Sequence, residues 1–115
     1  MMKLKISPQA INDIKEIKSY IRNALENPAA ADRIASKIVK AYKSLKDSPY
    51  IGTPLDAKLN LITDYRVLIS GMYLIFYRIE DDTVYIVRII DGRRDYCRLL
   101  FGISMNDVLI EPDSE

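Results

Sequence analysis

The sequence has no histidine and only one cysteine, Cys97, among its 115 residues. Without histidine the chain lacks the most common general base of enzymes. Without a second cysteine it cannot form an internal disulfide or supply the usual zinc ligand sets. Cys97 also has no histidine to activate it as a nucleophile, and it is followed closely by an apolar pair. We therefore expect Cys97 to be a small buried residue.

Long apolar runs are missing as well. No stretch reaches the roughly 18 to 20 residues that a membrane-spanning helix needs. The opening "MMKLKISPQA" has no apolar run followed by a small-residue cleavage site, so the sequence predicts a cytoplasmic protein with no membrane partner. There is no glycine-rich phosphate loop, nucleophile elbow or carboxylate cluster for metal. We expect neither a cofactor nor a metal.

The charges are distributed unevenly along a chain of single-domain length. Residues 1–102 contain all 17 Lys and Arg but only 12 of the 16 acids, whereas residues 103–115 contain four acids and no base. This predicts a domain at 1–102 and an acidic tail at 103–115. A basic body indicates an anionic partner, although a solvated surface with a solubilising tail explains the same charges. The tail is either a disordered end or a segment lying along a basic face of the domain.

The first half of the chain predicts a strand and two helices. "MKLKI" alternates apolar residues with lysines, as a half-buried strand does. The dipeptides at 7–8 and 27–28, Ser-Pro and Asn-Pro, each combine a capping residue with proline at the first helical position. Apolar residues then recur at spacings of three and four, which predicts helices over about 8–25 and 28–46. So short a connection makes them an antiparallel hairpin.

The second half predicts strands. "YRVLIS", "YLIFYRIE" and "TVYIVRII" are rich in aromatic and β-branched residues and are separated by the dipeptides "GM" and "DD". Such short connections indicate two consecutive antiparallel hairpins, a meander. The whole pattern predicts an α+β fold, in which an N-terminal strand and an antiparallel helix hairpin pack on an antiparallel β-sheet.

Two-residue loops at both dipeptides set a register for these strands and divide their side chains between two faces. In this register Arg66 faces Tyr77, Tyr77 faces Ile86, and Ile75 lies between Leu68 and Arg88. One face is nearly all apolar and is expected to receive the helix hairpin: Tyr65, Val67, Ile69, Leu74, Phe76, Arg78, Tyr85, Val87 and Ile89. The other face is mixed and is expected to be the working surface: Arg66, Leu68, Ser70, Tyr73, Ile75, Tyr77, Ile79, Val84, Ile86, Arg88 and Ile90.

The stretch "IIDGRRDYCRLLFG", residues 89–102, turns abruptly basic where the last strand ends at its glycine. Arg93 and Arg94 are adjacent, so we expect one to point outward and the other to pair with Asp91 or Asp95. Arginine suits phosphate because its planar fork donates paired hydrogen bonds. Tyrosine can stack on a base or share a proton, although its ordinary pKa near 10 makes it a poor base.

These residue types supply the candidate site. The catalytic candidates are Arg66, Arg94 and Tyr96. The candidates for binding a partner are Arg66, Tyr73, Tyr77, Arg88, Arg93, Arg94 and Arg98.

Several segments together resemble the RelE/ParE superfamily of toxins from bacterial type II toxin–antitoxin modules. They are the helix hairpin with "NPAAA", the loop "SPYIGTPL", the strand opening "YRVL", the hairpin "YLIFYRIEDDTVYIVRII" and the ending "DGRRD". The resemblance covers residues 2–102. It implies a small α+β toxin that inhibits growth unless a cognate antitoxin, encoded beside it, is bound. The oligomeric state stays open between a homodimer and a toxin–antitoxin hetero-oligomer.

The superfamily has two branches, which imply different targets. RelE-like members are metal-independent endoribonucleases that cut mRNA on the ribosome. Arg66 and Arg94 match a basic strand residue and the arginine after the glycine in that branch, but "YLIF" lacks its expected arginine, and Leu100 and Phe101 replace its terminal tyrosine. ParE-like members inhibit DNA gyrase and match better through "NPAAA", "SPYIGTPL" and "GRRD". The resemblance favours gyrase inhibition slightly; the alternatives are mRNA cleavage and a non-toxic relic that binds only antitoxin or nucleic acid.

Overall fold

The computed structural model describes residues 1–57 and 59–104. In chain order the elements are β1 (Lys3–Ile6), α1 (Pro8–Ser19), α2 (Pro28–Lys43), β2 (Thr53–Pro54), β3 (Arg66–Ser70), β4 (Tyr73–Glu80), β5 (Thr83–Asp91) and α3 (Tyr96–Phe101). A π-helical segment, Tyr20–Ala24, continues α1, and a 3₁₀ turn, Ser44–Lys46, continues α2. No helix within these two stretches is long and apolar enough to cross a membrane.

Both long helices begin where the sequence predicts. The Ser7 side chain accepts a hydrogen bond from the Ala10 backbone N–H at 2.9 Å, and Asn27 caps α2 in the same way, so two otherwise unpaired N–H groups are satisfied. The first helix is less regular than predicted, because its α-helical hydrogen bonding ends at Ser19 and a π-helical segment follows. The hairpin then reverses through Glu26, whose φ of 52° is left-handed.

The five strands form one sheet in the order β1-β5-β4-β3-β2. The β3–β4–β5 meander is antiparallel, as predicted, but β1 runs parallel to β5, so the sheet is mixed. A short strand, β2, pairs with the start of β3 inside a segment predicted to be a loop. The short helix α3 was not predicted either.

The predicted register is correct in β3–β4 and wrong in part of β4–β5. Tyr77 faces both Arg66 and Ile86, as expected. A bulge then places Arg88 opposite Phe76 and leaves Val87 as the extra residue on β5. Ile75 consequently faces Ile89 rather than Arg88.

The predicted assignment of the two sheet faces is wrong. The helix hairpin packs on the mixed face, where Tyr73, Ile75, Tyr77, Val84 and Ile86 are buried against Ala10, Ile38 and Leu45. The opposite face was expected to receive the helices. Part of it packs instead on α3 and on the segment before β3, and the buried residues of this cluster are Leu55, Leu59, Val67, Phe76, Ile90 and Cys97.

Two features of the chain explain this error. The mixed face is apolar enough to be buried once its two arginines find partners, which Arg66 and Arg88 both do. The bulge also exchanges the orientations of the next residues, so that Ile89 joins the helix side and Ile90 joins the α3 side. The acidic tail was predicted at 103–115, and all four of its acids lie at 105–115, outside the described residues.

Candidate functional site

Arg66 holds a neighbouring loop and does not line an open surface. Its Nη2 donates hydrogen bonds to the backbone carbonyls of Tyr50 at 3.0 Å and Gly52 at 2.7 Å. The guanidinium carbon lies 5.2 Å from the centre of the Tyr50 ring. Its Nε is buried without a hydrogen-bond partner. The role visible in these contacts is structural.

Tyr77 anchors the same loop from inside the core. It is fully buried, and its hydroxyl donates to the carbonyl of Pro49 at 2.8 Å and accepts from the N–H of Gly52 at 3.0 Å. The expectation that Tyr77 lies on an exposed working surface is therefore wrong.

Arg88 is tied to a buried acid that sequence reasoning missed. Its Nε and Nη2 donate to the two carboxylate oxygens of Asp13 at 2.8 and 3.0 Å, and Asp13 also accepts from the N–H of Ile89 at 2.9 Å. The hydrogen bond with Asp13 raises the pKa of Arg88. The sequence signal was an acid between Ala10 and Ile17 on the apolar stripe of α1, a position that indicates a buried partner.

The residues of α3 lie on the other side of the sheet. The Tyr96 ring centre is 5.3 Å from that of Phe76, and burial raises the pKa of the Tyr96 hydroxyl. Cys97 is fully buried, as predicted, and burial raises the pKa of its thiol. Arg98 is exposed and its Nε lies 3.6 Å from a carboxylate oxygen of Asp95. These three residues do not join Arg66 or Arg88.

The two arginines that follow β5 have different roles, as predicted: one pairs with an acid and the other is exposed. Arg93 forks onto Asp91, with Nε–Oδ1 and Nη2–Oδ2 distances of 3.0 and 2.6 Å, and this hydrogen bonding holds the pKa of Asp91 below its ordinary value. Arg94 is exposed, and its side chain forms no ion pair with any residue in 1–57 or 59–104.

Arg93 and Arg94 border a groove of about 660 Å³ between the helix hairpin and the end of β5. Its apolar lining includes Ile17, Ile21, Leu25, Ile34, Met72 and Ile89. Besides the two arginines, the polar part of the lining consists of Tyr20, Asn27, Tyr73 and three acids, Asp13, Glu16 and Asp91. Burial is the main cause that raises the pKa of Tyr73. Tyr20, which is exposed and lies in the π-helical segment, had no signal in the sequence beyond its place near the hairpin tip.

The groove has the composition of a binding surface. It combines apolar walls with charged side chains of both signs, a composition that suits an amphipathic segment of a protein. Within 1–57 and 59–104 no cluster of three potential metal ligands occurs. The three catalytic candidates are not assembled, since Arg66 holds the loop, Arg94 borders the groove and the Tyr96 ring packs on the opposite face of the sheet.

Comparison with known proteins gives one matching family model and several similar solved structures. The family model of the ParE toxin of the type II toxin–antitoxin system, parDE, matches residues 4–96. A structure of the chromosomal ParDE toxin–antitoxin system from P. aeruginosa is similar with a TM-score of 0.67 and 23% identity, covering 79% of this chain and 96% of that one. Comparison with curated protein sequences gives no match.

Two further structures share the fold. The RelBE2 toxin–antitoxin complex from Mycobacterium tuberculosis has a TM-score of 0.56 and 21% identity, over 78% of this chain and 96% of that chain. YafQ from E. coli strain BL21(DE3) has a TM-score of 0.53 and 14% identity, over 89% of this chain and all of that one. Since the family model spans most of its length, this chain belongs to the ParE toxin family of type II toxin–antitoxin systems.

Proposed function

We propose that this toxin arrests bacterial growth by binding a protein target, with DNA gyrase favoured, and that a cognate antitoxin neutralises it. One observation carries the choice of target: two of the candidate arginines, Arg66 and Arg88, are already used by the fold, which leaves Arg94 as the exposed arginine at the groove. Arg66 donates to two backbone carbonyls and Arg88 to Asp13. Neither guanidinium is available as a free phosphate fork.

Proton transfer is the second requirement of RNA cleavage, and the candidate for it is unfavourable. Tyr96 would have to lose its proton to act as a base, but burial raises its pKa above the ordinary value near 10. At neutral pH its hydroxyl is therefore protonated and inefficient as a base. Cys97, beside it, is buried, and its thiol pKa is raised too. Both features support binding of a target over cutting of RNA.

The antitoxin is proposed from the family and from the groove. The P. aeruginosa structure is of a toxin–antitoxin system and the M. tuberculosis structure is of a toxin–antitoxin complex. In this chain the groove beside Arg94 presents apolar walls of a size that suits side chains of a docked protein segment. A toxin–antitoxin hetero-oligomer is therefore the proposed resting form.

The test is inducible expression in a bacterial host without antitoxin, while DNA synthesis and protein synthesis are followed separately. We expect DNA synthesis to fall first, and the purified chain to inhibit supercoiling by purified gyrase. An early fall in protein synthesis with cleaved mRNA would instead assign the ribosome-dependent branch. Uninhibited growth with abundant soluble protein would refute toxicity and leave the relic as the explanation.

A pair of arginine variants tests the groove. Arg94→Ala should weaken growth inhibition or antitoxin binding, because it removes the guanidinium that lacks an ion pair at the groove. Arg33→Ala is the matched control, since Arg33 is an exposed arginine of α2 that does not line the groove and has no ion pair in the described chain. If both variants act like the unaltered protein in both assays, Arg94 contacts neither target nor antitoxin.

A further inference from the structure

The loop at residues 48–52 is held more firmly than its sequence suggests. The N–H of Ile51 donates to the carbonyl of Ser48 at 3.3 Å, which closes a turn with proline at its second position. The N–H of Ser48 in turn donates to the carbonyl of Ser44 at 3.1 Å. The loop is thus attached to the end of the helix hairpin.

Two side chains of the sheet, the buried Tyr77 and the half-buried Arg66, anchor the rest of the loop. The Tyr77 hydroxyl bonds to Pro49 and Gly52, and the Arg66 guanidinium bonds to Tyr50 and Gly52. A side chain at Gly52 has no room, because a Cβ there would lie 2.5 Å from the Tyr77 oxygen. Four hydrogen bonds from these two side chains therefore fix the backbone of one short surface loop.

Although the backbone of this loop is fixed, its two large side chains are exposed to solvent. Tyr50 is 68% exposed and Ile51 is 54% exposed. The Arg66 guanidinium lies 5.2 Å from the Tyr50 ring centre, so a cation–π contact orients the ring while most of its surface faces solvent. Ordered apolar side chains on a fixed loop lose little conformational entropy on binding, and tyrosine is among the residues that dominate interface energies.

We propose that residues 48–52 form a target-recognition loop, which inserts Tyr50 and Ile51 into an apolar depression on the protein that the toxin inhibits. The inference rests on the proposed function and adds a contact surface to it. A protein fits better than a nucleic acid, because Ile51 has no ring on which a base could stack and the neighbouring Asp47 is an exposed acid.

The loop is separate from the groove. Tyr73 lines the groove and Tyr77 holds the loop, and they lie four residues apart on β4, which is about 13 Å along a strand. A segment docked in the groove can therefore leave the loop uncovered, and a target can engage the loop independently of Arg94.

The experiment compares Tyr50→Ser and Ile51→Ser with Ile62→Ser in the full chain. Ile62 is the matched control, since it is a fully exposed isoleucine outside the loop. Growth inhibition on induction, gyrase supercoiling with purified protein and thermal unfolding are measured for each. We expect the two loop variants to need about tenfold more protein for half-inhibition, with unfolding temperatures close to that of the unaltered protein, and the control to be unchanged.

A fourth variant, Tyr77→Phe, tests the anchoring itself. It keeps the buried ring and removes the two hydrogen bonds to the loop. We expect it to weaken inhibition although Tyr50 and Ile51 are untouched.

The outcomes separate the two proposals. An unaltered protein that inhibits neither growth nor supercoiling overturns the proposed function, and this inference with it. An active unaltered protein whose loop variants are equally active overturns the loop alone. Loss of activity in the loop variants that is matched by Ile62→Ser, or by a collapse of thermal stability, also overturns the loop as a recognition element.

Discussion

Removing the Asp13 carboxylate should destabilise this protein more than any change at its exposed charges. Asp13 is 8% exposed and accepts three hydrogen bonds, two from the Arg88 guanidinium and one from the N–H of Ile89. Asp13→Ala therefore leaves a partly buried guanidinium without its counter-charge and a buried N–H without an acceptor. Both losses act in the same direction.

The expected loss of unfolding free energy follows from the burial of the Asp13–Arg88 ion pair. Removing one partner of a buried ion pair costs about 3–5 kcal/mol, and the 18% exposure of the Arg88 side chain places the expected cost near the lower end, at about 3 kcal/mol. For 115 residues an unfolding entropy of about 0.24 kcal/mol/K converts this into a fall of about 12 °C in Tm. Asp13→Asn keeps an acceptor for Ile89 and should cost about 1–2 kcal/mol.

Urea unfolding followed by circular dichroism measures these differences, with Tm from thermal scans. The double variant Asp13→Leu/Arg88→Met is the informative control. It removes both charges, so it should be about 1–2 kcal/mol more stable than Asp13→Ala, while the N–H of Ile89 still lacks its acceptor. A cost below about 1 kcal/mol for Asp13→Ala, or a double variant no better than the single one, would refute the argument.

Three further predictions concern other parts of the molecule. Gly52→Ala should cost more than about 2 kcal/mol by urea unfolding, because its Cβ meets the Tyr77 hydroxyl, whereas Gly102→Ala is strained only by its own φ of 71° and meets nothing. Cys97 should react with a thiol reagent only as fast as the protein unfolds, since it is buried and its thiol pKa is raised; rapid labelling of the folded protein would contradict its place in the core. The pKa of Asp91 is lowered by Arg93, so its contribution to stability is complete above the unfolded pKa near 4 and is lost as pH falls through the folded value. Arg93→Ala should therefore lose less stability on acidification than the unaltered protein, and parallel pH curves would disprove the coupling.

Local features were predictable from the sequence because the signals for them are local. The capping residues Ser7 and Asn27 and the proline after each of them mark the helix starts, and the dipeptides at 71–72 and 81–82 mark the turns of the meander. The different roles of Arg93 and Arg94 were predictable too, because adjacent side chains in an extended segment point in opposite directions. That Arg93 is the one that pairs, and that Asp91 is its partner, came only from the structure.

The location of the site was not predictable in the same way. Which sheet face receives the helices depends on contacts between residues far apart in sequence, such as Asp13 with Arg88 and Tyr77 with the loop at 48–52. Arg66 and Arg88 were expected to be exposed because they lie on the mixed face of the sheet. Each of them has a partner elsewhere in the chain that allows this face to be covered. The groove was missed for a related reason, since Tyr20 and Arg94 meet there only after the hairpin has folded over the end of β5.

The bulge at Val87 has a consequence for how this chain can vary. Side chains along a strand alternate between faces, so removing one residue there would reverse the orientation of Ile89 and Ile90 and of the residues up to Gly92. Arg93 and Arg94 would then leave the strand on the wrong side of the groove. Lengthening the turn at 81–82 would leave this pattern unaltered. Descendants of this sequence should therefore tolerate insertions and deletions at 81–82 and almost none between 87 and 92.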